Sequence, residues 1–328
     1  MDSFAGKLAV VTGGASGMGR ELVRQLAEQG CSVATCDLSA EAVEKAAARA
    51  LAGATAGARV TGHVCDVSDE AQVLRFRDEL LSEHASDHVD VMCNNAGIGG
   101  GNSFITASRE DWERTFAVDW WGVYYCTRAF LPLLIASGDG VLVNTSSLNG
   151  LWGSLGPGMP NNAYCTAKFA VRGFTEALIE DLRTNAPQVR VAVVMPGHVG
   201  TDIVANSFRA RGLPDPEHMS DAQVDEVLPA GAKAKMIELG LLPEDATASD
   251  VGKFLARMST DFRDKAPLTA AAAAAIILDG VRSGAWRILV GDDARKLDEF
   301  VRGNPESTYD HDARVAFMGG IGPDEPLA

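Results

Sequence analysis

Tyr164 and Lys168 are the residues whose types and spacing most directly suggest chemistry. They stand four positions apart in "AYCTAKFAVRGFTEALIEDLR", a helix-like pattern, so both side chains share one helix face. The pKa of a tyrosine is about 10 in water, and a neighbouring ammonium group favours the phenolate. The pair could therefore take a proton from an alcohol, or return one to a carbonyl oxygen. Taken alone, the same spacing also occurs in ordinary surface pairs on helices.

The second notable segment is "TGGASGMGR" at residues 12–20, between the apolar run "KLAVV" and the helical pattern "ELVRQLAEQG". A strand, a glycine turn and a helix form the arrangement that binds a dinucleotide pyrophosphate, because the helix N-terminus offers free N–H groups and partial positive charge. The alternative is a tight strand–helix turn with no ligand. The residues that we expect to contact the cofactor here are Gly13, Ser16, Gly17, Met18 and Gly19.

Asp37 ends the second apolar run, eighteen residues after Gly19. A carboxylate at this place can accept hydrogen bonds from the adenosine ribose and repels a 2′-phosphate. The neighbouring Ala15 and Leu38 carry no positive charge that would offset this repulsion. The sequence therefore predicts NAD rather than NADP, with Asp37 and Leu38 in the cofactor site. Asp37 could instead be a turn or cap residue before the next helix.

Two more apolar runs end in candidate binding residues. Asp66 and Val67 follow the third run, where a carboxylate could bond the adenine amino group, and Asn94-Asn95-Ala96-Gly97 follows the fourth. In open α/β sheets, ligands bind at the carboxyl ends of the strands. We therefore add Asp66, Val67, Asn94, Ala96 and Gly97 to the expected cofactor site.

Apolar runs and helical patterns alternate along the chain, which is typical of a parallel sheet covered by helices on both faces. The prediction is an α/β, Rossmann-type, doubly wound sheet of about seven strands. One long helix is predicted over residues 109–137. The runs interpreted as strands are "KLAVVTG", "SVATCD", "RVTGHVCDV", "VDVMCNNAG", "GVLVNTSS", "VRVAVVMPG" and "WRILVG".

Five motifs in order resemble the short-chain dehydrogenase/reductase family: "TGGASGMG", "NNAG", "NTSS", "YCTAK" and "PGHVGT". The resemblance covers residue 5 to about residue 202 and implies a hydride-transferring enzyme with a nicotinamide cofactor. It implies that Tyr164 is the general acid/base and that Lys168 also bonds the nicotinamide ribose. It implies that Ser147 holds the substrate oxygen, because Gly150 stands three residues later, with Ser146 as second choice.

The resemblance also extends to two other regions. The family usually has an asparagine where this chain has Asp119, and that residue helps to hold a water in a proton relay. An ionised Asp only accepts hydrogen bonds, so the change leaves a main-chain role intact but not an amide one; Asp119 could also be a plain helix residue paired with a basic neighbour. After the sixth run, the resemblance places the nicotinamide carboxamide against Pro196, Gly197, Val199 and Thr201. His198 within this segment either contacts substrate or is a solvated loop residue.

The domain prediction is one Rossmann domain over residues 1–302 and a Gly/Pro-rich tail over 303–328. Residues 203–265 are too long for an ordinary connection and suggest a substrate lid. The tail could be a free terminus or an arm on a neighbouring subunit. Together with this lid, Trp152, Met159 and Phe208 suggest a roomy apolar substrate site. About four residues beyond the family's usual spacing, within "WGSLGPGMPNN", are expected to bulge into its mouth.

Composition narrows the partners. The 328-residue chain has a formal net charge of −15, which disfavours nucleic acid and anionic membranes. Its six cysteines form no C-x-x-C pair, so reduced thiols are expected, with no metal site. We expect no signal peptide and no membrane span, hence a cytoplasmic protein. The family resemblance implies a homodimer or homotetramer paired through the helices of residues 110–136 and 163–184.

The leading hypothesis is an NAD-dependent oxidoreductase that interconverts a secondary alcohol and a ketone, with a hydrophobic substrate. One alternative is an NADPH-dependent carbonyl reductase, which Asp37 disfavours. Another is a dinucleotide-binding protein that has lost catalysis, which the intact Ser147, Tyr164 and Lys168 disfavour.

Overall fold

The fold was analysed in a computed structural model that describes residues 1–100, 103–155, 160–228, 231–238, 240–310 and 312. Strands and helices alternate through the first two thirds of the chain, as the apolar runs predict. The strands are β1 (Leu8–Thr12), β2 (Ser32–Asp37), β3 (Val60–Val64), β4 (Val91–Asn94), β5 (Gly140–Thr145), β6 (Val189–Pro196), β7 (Val199–Gly200), β8 (Leu268–Thr269) and β9 (Arg287–Val290). The helices are α1 (Gly17–Glu28), α2 (Ala40–Ala52), α3 (Glu70–His84), α4 (Arg109–Phe116), α5 (Gly122–Ala136), α6 (Asn162–Asn185), α7 (Ile203–Arg209), α8 (Asp221–Val227), α9 (Ala232–Glu238), α10 (Ala248–Asp264), α11 (Ala270–Arg282) and α12 (Asp292–Gly303).

Seven strands form one all-parallel sheet in the order β3-β2-β1-β4-β5-β6-β9. This confirms the predicted fold class and the assignment of "WRILVG" as the last strand. The chain moves outward in one direction from β1 to β3, then returns to the other side of β1 at β4. The crevice at this reversal is where open α/β sheets bind their ligands.

The sheet has an apolar layer on each face. On one face Leu22, Val23 and Leu26 of α1 pack near Ile277 and Leu278 of α11, which explains the helical spacing of these apolar residues. On the other face, helices α3, α5 and α6 contribute the buried side chains Phe76, Leu80, Phe130, Leu134, Leu178 and Leu182. The strands between them are buried on both sides and are therefore apolar almost throughout.

The predicted long helix over residues 109–137 contains an irregular turn. Between α4 and α5, residues Ala117–Trp121 form a π-helical turn, which inserts extra backbone and re-aims the side chains within it. Asp119 lies in this turn and is fully buried. The spacing of apolar residues could not show this turn. A π-helical turn keeps the chain helical and changes only the register of the side chains.

The lid segment (residues 203–265) contains four helices, α7 to α10. It has a small apolar core of its own, formed by Val224, Leu242, Ala246, Val251 and Leu255, against which Phe208 packs. It connects to the main domain through β7 and β8, which pair in parallel as Val199 with Leu268 and Gly200 with Thr269.

The six cysteines, all among the described residues, are buried free thiols. In the described part of the chain, no helix combines the length and the apolar character needed to cross a membrane.

Candidate active site

The glycine turn between β1 and α1 is shaped so that side chains cannot be added. Gly13 and Gly17 have φ of +70° and +51°, a region that residues with a Cβ rarely adopt. A Cβ on Gly13 would lie 2.9 Å from the Cα of Ala96, and one on Gly19 would collide with the Gly13 carbonyl oxygen. The glycines therefore bring the ends of β1 and β4 into close contact with the start of α1.

The N-terminus of α1 is open to an anion. Ser16 is the N-cap residue but makes no side-chain cap, and the first turn contains no acidic residue. Among the described residues, the first backbone N–H groups of α1 thus have no side-chain partner, which is the requirement for holding a pyrophosphate. The turn fits a dinucleotide on this ground.

Asp37 lies at the end of β2 and points back to the glycine turn. Its carboxylate accepts hydrogen bonds from the backbone N–H of Ala15, at 3.1 Å, and of Leu38, at 2.8 Å. Burial raises the pKa of Asp37, although these hydrogen bonds act in the opposite direction. Ser39, not Asp37, caps α2. This geometry removes the helix-cap alternative and keeps Asp37 beside the turn.

Asp66 has partners that the sequence did not indicate. One oxygen accepts from the backbone and hydroxyl of Ser68, at 3.0 and 2.6 Å, and the other is 3.0 Å from Arg114. Its carboxylate is thus fixed within the protein. Val67 is buried and packs closely against Gly122, so that a Cβ added to Gly122 would collide with it. Met18 is packed against the core, whereas Leu38 is exposed.

The two asparagines of "NNAG" have different partners. The buried Asn94 donates through its Nδ2 to Thr127 and Asn144, within the layer between sheet and helices. Its Oδ1 is buried with no hydrogen-bond partner among the described residues. Asn95 instead donates to the carbonyl oxygen of Thr12 at 3.0 Å, on the glycine turn. The expectation that Asn94 contacts a cofactor stays a prediction. Alternation along a strand could have separated the two, since neighbouring side chains point to opposite faces.

Tyr164 and Lys168 lie near the start of α6, one turn apart. The Lys168 Nζ is 5.4 Å from the centre of the Tyr164 ring and 3.3 Å from the carbonyl oxygen of Thr145, at the end of β5. The Lys168 Nζ also lies beside Gly97, since a Cβ added to Gly97 would be 3.2 Å from it. The ends of β4 and β5 therefore enclose the Lys168 ammonium group.

The pKa of Tyr164 departs from the simple expectation. Burial raises it, the Lys168 ammonium lowers it, Asp119 raises it again, and a hydrogen bond with Ser147 lowers it; the net shift is upward. Lys168 alone therefore does not produce a phenolate here, because burial opposes it. Burial likewise lowers the pKa of Lys168, but the negative charges of Asp119 and Tyr164 outweigh that effect and raise it.

Asp119 faces Lys168 from the π-helical turn. Its Oδ1 is 3.5 Å from the Lys168 Nζ and accepts a hydrogen bond from the Ile98 backbone at 3.0 Å. Its Oδ2 is buried with no hydrogen-bond partner among the described residues. Burial raises the pKa of Asp119, opposed by the charge of Lys168. The alternative of a basic neighbour is thus realised, but that neighbour is Lys168 itself.

The two candidate serines differ clearly. Ser146 donates a hydrogen bond of 2.7 Å to the Lys168 carbonyl oxygen and is buried against Gly150. Ser147 begins the short 3₁₀ turn Leu148–Gly150 and interacts with the Tyr164 hydroxyl. The serine that interacts with Tyr164 is therefore Ser147, and not Ser146.

The segment after β6 is held by a residue that the sequence did not single out. Asp293, at the start of α12, accepts a 2.5 Å hydrogen bond from the backbone of His198 and fills the space beside Gly197. Thr201 lies against Gly17 of the glycine turn. His198 bonds the Phe262 carbonyl oxygen at 2.8 Å, so its ring is fixed on α10 rather than solvated.

The residues proposed for an apolar substrate site are not gathered together. Trp152 is fully buried with Leu148 and Leu297 beneath α12, and Phe208 packs into the lid core. Met159, and with it residues 156–159 of the predicted bulge, lies outside the described residues. The structure therefore removes Trp152 from the predicted substrate surface.

Comparison with known proteins agrees with this geometry. The family model described as short chain dehydrogenase matches residues 7–212. SadH of Mycobacterium tuberculosis is 40% identical over 212 residues, which are 65% of this chain and 74% of that protein. The chain belongs to the short-chain dehydrogenase/reductase family, as its five motifs predicted, and is an oxidoreductase of that family.

Solved structures of the family resemble it as well. A Burkholderia phymatum member in complex with NAD aligns with a TM-score of 0.71 at 26% identity, over 95% of this chain and 98% of that one. A metagenomic short-chain oxidoreductase in complex with NADP aligns with a TM-score of 0.52 at 32% identity, over 59% and 83% of the two chains. Similar proteins thus bind either dinucleotide.

Proposed function

We propose that this protein is an NAD-dependent oxidoreductase that interconverts a secondary alcohol and a ketone. The observation that carries the proposal is the position of the Lys168 ammonium group beside Gly97. The residue before Gly97, Ala96, contacts Gly13 of the glycine turn. Through this contact the open N-terminus of α1 and the Tyr164–Lys168 pair belong to one site. A silent dinucleotide-binding protein would have no need of a tyrosine that interacts with a serine hydroxyl beside a buried lysine.

The residues that would hold the dinucleotide lie along the crevice. The amides of Gly17, Met18 and Gly19 would hold the pyrophosphate, and Asp37 would hold the adenosine ribose. Lys168 would bond the other ribose, and the segment from Pro196 to Thr201 would hold the carboxamide. A bound nicotinamide supplies the hydride acceptor or donor of the reaction.

Tyr164 performs the proton transfer. In alcohol oxidation, its phenolate would accept the proton of the substrate hydroxyl. The carbon that bears this hydroxyl would give up a hydride to the acceptor that a bound nicotinamide supplies, so that a C=O bond replaces the C–H and O–H bonds. In reduction, the Tyr164 hydroxyl returns the proton to the carbonyl oxygen. Ser147 donates a hydrogen bond to this oxygen and orients it.

Lys168 and Asp119 adjust this proton transfer. The Lys168 ammonium stabilises the phenolate, and the Asp119 carboxylate fixes Lys168 while opposing the ionisation of Tyr164. Asp119 acts through Lys168 and is a positioning residue. Its carboxylate replaces the family's usual amide and still leaves its main chain available to a relay.

Asp37 supports NAD as the preferred cofactor. A carboxylate that already receives two backbone hydrogen bonds stays where a 2′-phosphate would have to sit. The test is a fluorescence titration of the purified protein with NADH and with NADPH. Tighter binding of NADH supports the proposal; tighter binding of NADPH would favour the carbonyl-reductase alternative.

The apolar character of the lid segment supports a hydrophobic substrate. Met219 and Leu228, which flank α8, and Met236 and Ile237 of α9 pack against its small core. The test compares kcat/KM for long-chain or cyclic secondary alcohols with that for small polyols, following NADH formation. Faster turnover of the polyols would contradict this substrate class.

A further inference from the structure

The glycine turn lacks a cation for the phosphates that it would bind. Residues 12–19 contain no lysine or arginine, in a chain with a formal net charge of −15. Arg20, which follows, lies 3.8 Å from Glu21. Any guanidinium that contacts a phosphate here must therefore come from another part of the fold.

The lid segment supplies such a group. Asn206 of α7 donates a 2.8 Å hydrogen bond to the Ser16 hydroxyl, which joins the lid to the glycine turn. Three residues later on the same helix, Arg209 donates a 2.5 Å hydrogen bond to the side-chain oxygen of Asn206. Its other terminal nitrogen lies 3.3 Å from Asp215, and the Arg209 side chain is 55% exposed.

The charge of Arg209 also reaches the adenosine end of the site. It lowers the pKa of Asp37, against the larger effect of burial. Asp37 in turn accepts from Ala15, the residue before Ser16. Arg209 thus lies near both Asp37, the carboxylate expected at the adenosine ribose, and the glycine turn, which is expected at the pyrophosphate.

We propose that Arg209, positioned by Asn206, donates hydrogen bonds from the lid to a phosphate of the dinucleotide's adenosine half. A guanidinium matches phosphate oxygens in a two-point arrangement, and a phosphate would replace Asp215 as its partner. The inference rests on the proposed dinucleotide site. The phosphate is either in the pyrophosphate, present in both cofactors, or the 2′-phosphate of NADP.

The test measures binding, not turnover. NADH and NADPH are titrated by fluorescence, and ADP and adenosine 2′,5′-bisphosphate by calorimetry, into wild type and Arg209→Gln. Loss of a charge-assisted hydrogen bond should weaken binding about 10-fold or more. Weaker binding of ADP, NADH and NADPH identifies the pyrophosphate; a loss confined to NADPH and the bisphosphate identifies the 2′-phosphate. Unchanged affinity for all four ligands overturns the proposal.

Two variants distinguish phosphate binding by Arg209 from a fastening role, in which Arg209 only holds the lid segment against the main domain. Arg257→Gln removes the same charge from α10, where Arg257 is 76% exposed and pairs with Asp261, and should bind like wild type. Asp215→Asn releases Arg209 from its partner. Phosphate binding predicts equal or tighter affinity for this variant, whereas a fastening role predicts weaker affinity and contradicts the proposal. If wild type bound neither dinucleotide, the proposed function itself would fail.

Discussion

Tyr164 is the residue on which the proposed chemistry depends most directly. Tyr164→Phe keeps the ring and removes the hydroxyl that interacts with Ser147. We expect kcat to fall about 10²- to 10⁴-fold, the usual contribution of a general acid/base, while the dissociation constant for NADH stays within a few-fold of wild type.

The matched control is Tyr125→Phe, in the aromatic group of α5, which should retain wild-type turnover. Steady-state kinetics and fluorescence titration measure both quantities. If Tyr164→Phe turned over substrate at the wild-type rate, Tyr164 would not be the acid/base.

Asp119 makes a pH-dependent prediction at the same scale. In alcohol oxidation the rate rises with pH as Tyr164 ionises, and the Asp119 carboxylate raises the pKa of Tyr164. Asp119→Asn removes that negative charge, so the phenolate forms more easily and the rise should move to lower pH. The amide oxygen can still accept from Ile98.

The profile of kcat/KM against pH checks this expectation. Glu110→Gln, which neutralises an exposed acid on α4, is the control and should leave the profile in place. A rise that moves to higher pH in Asp119→Asn would contradict the electrostatic argument.

The site residues that sequence reasoning identified share one property: their evidence is local. Tyr164 and Lys168 are one helical turn apart, and the four glycines of the glycine turn lie within residues 13–19. Asn206, Asp293 and Arg209 reach the site from distant parts of the chain, and no spacing rule relates them to it. The burial that raises the pKa of Tyr164 is likewise a tertiary property.

At the scale of the element, the glycine turn gives a sharp comparison. Gly13→Ala and Gly6→Ala each place a Cβ at similar positive φ, +70° and +74°. The positive φ should lower the free energy of unfolding by about 1–2 kcal/mol in each variant, and Gly13→Ala should lose more because its Cβ also meets another part of the chain. Only at Gly13 does the Cβ meet the backbone of Ala96, since nothing lies within 4 Å of it at Gly6.

We therefore expect Gly13→Ala alone to lose NADH binding. Denaturant unfolding gives the stability and fluorescence titration gives the binding. Equal NADH affinity in the two variants would mean that the turn does not hold the cofactor.

The junction between the lid segment and the main domain depends on Arg211. Its guanidinium donates to the carbonyl oxygens of Gly99 and Ser207, each at 2.7 Å, and to Thr115 at 2.8 Å, and it pairs with Asp111. A lysine cannot reproduce this planar set of contacts. Arg211→Lys should lower the free energy of unfolding by about 1–3 kcal/mol.

The same variant should expose the lid helices to limited proteolysis before the sheet is cut. Arg257→Lys, on the exposed face of α10, is the control and should be digested like wild type. Identical digestion and unfolding of Arg211→Lys would show that the junction does not depend on this arginine.

The elements themselves were largely predictable. Strands buried on both faces are recognisable as short apolar runs, and α1 shows its buried face in the spacing of Leu22, Val23 and Leu26. The lid helices were not predicted individually, because α7, α8 and α9 are each about two turns long and carry too few apolar positions for a period to emerge. The π-helical turn around Asp119 escaped for another reason, because it lies within a long helical stretch and changes only the register of the side chains.

At the scale of the whole molecule, we expect self-association through α5 and α6. Trp121, in the π-helical turn that leads into α5, is 42% exposed, and Phe169 on α6 is 39% exposed. Trp120, Tyr124 and Phe174 form a continuous aromatic group beside them. Burying such a patch between subunits would remove apolar surface from water. Light scattering at micromolar concentration should give the mass of a dimer or tetramer, and Trp121→Glu should reduce it. A monomeric wild type would contradict the prediction.

The contact of Asp293 with the Gly197–His198 turn has a consequence for the order in which the protein becomes active during synthesis. Ser147, Tyr164 and Lys168 leave the ribosome long before β9, which completes the edge of the sheet, and Asp293, which follows it. A nascent chain that stops short of α12 would carry these three side chains while the Gly197–His198 turn still lacks the carboxylate that accepts from it. A chimaera that takes its carboxyl-terminal half from a relative should therefore be active only when the Gly197–His198 turn and the residue at the position of Asp293 come from the same protein.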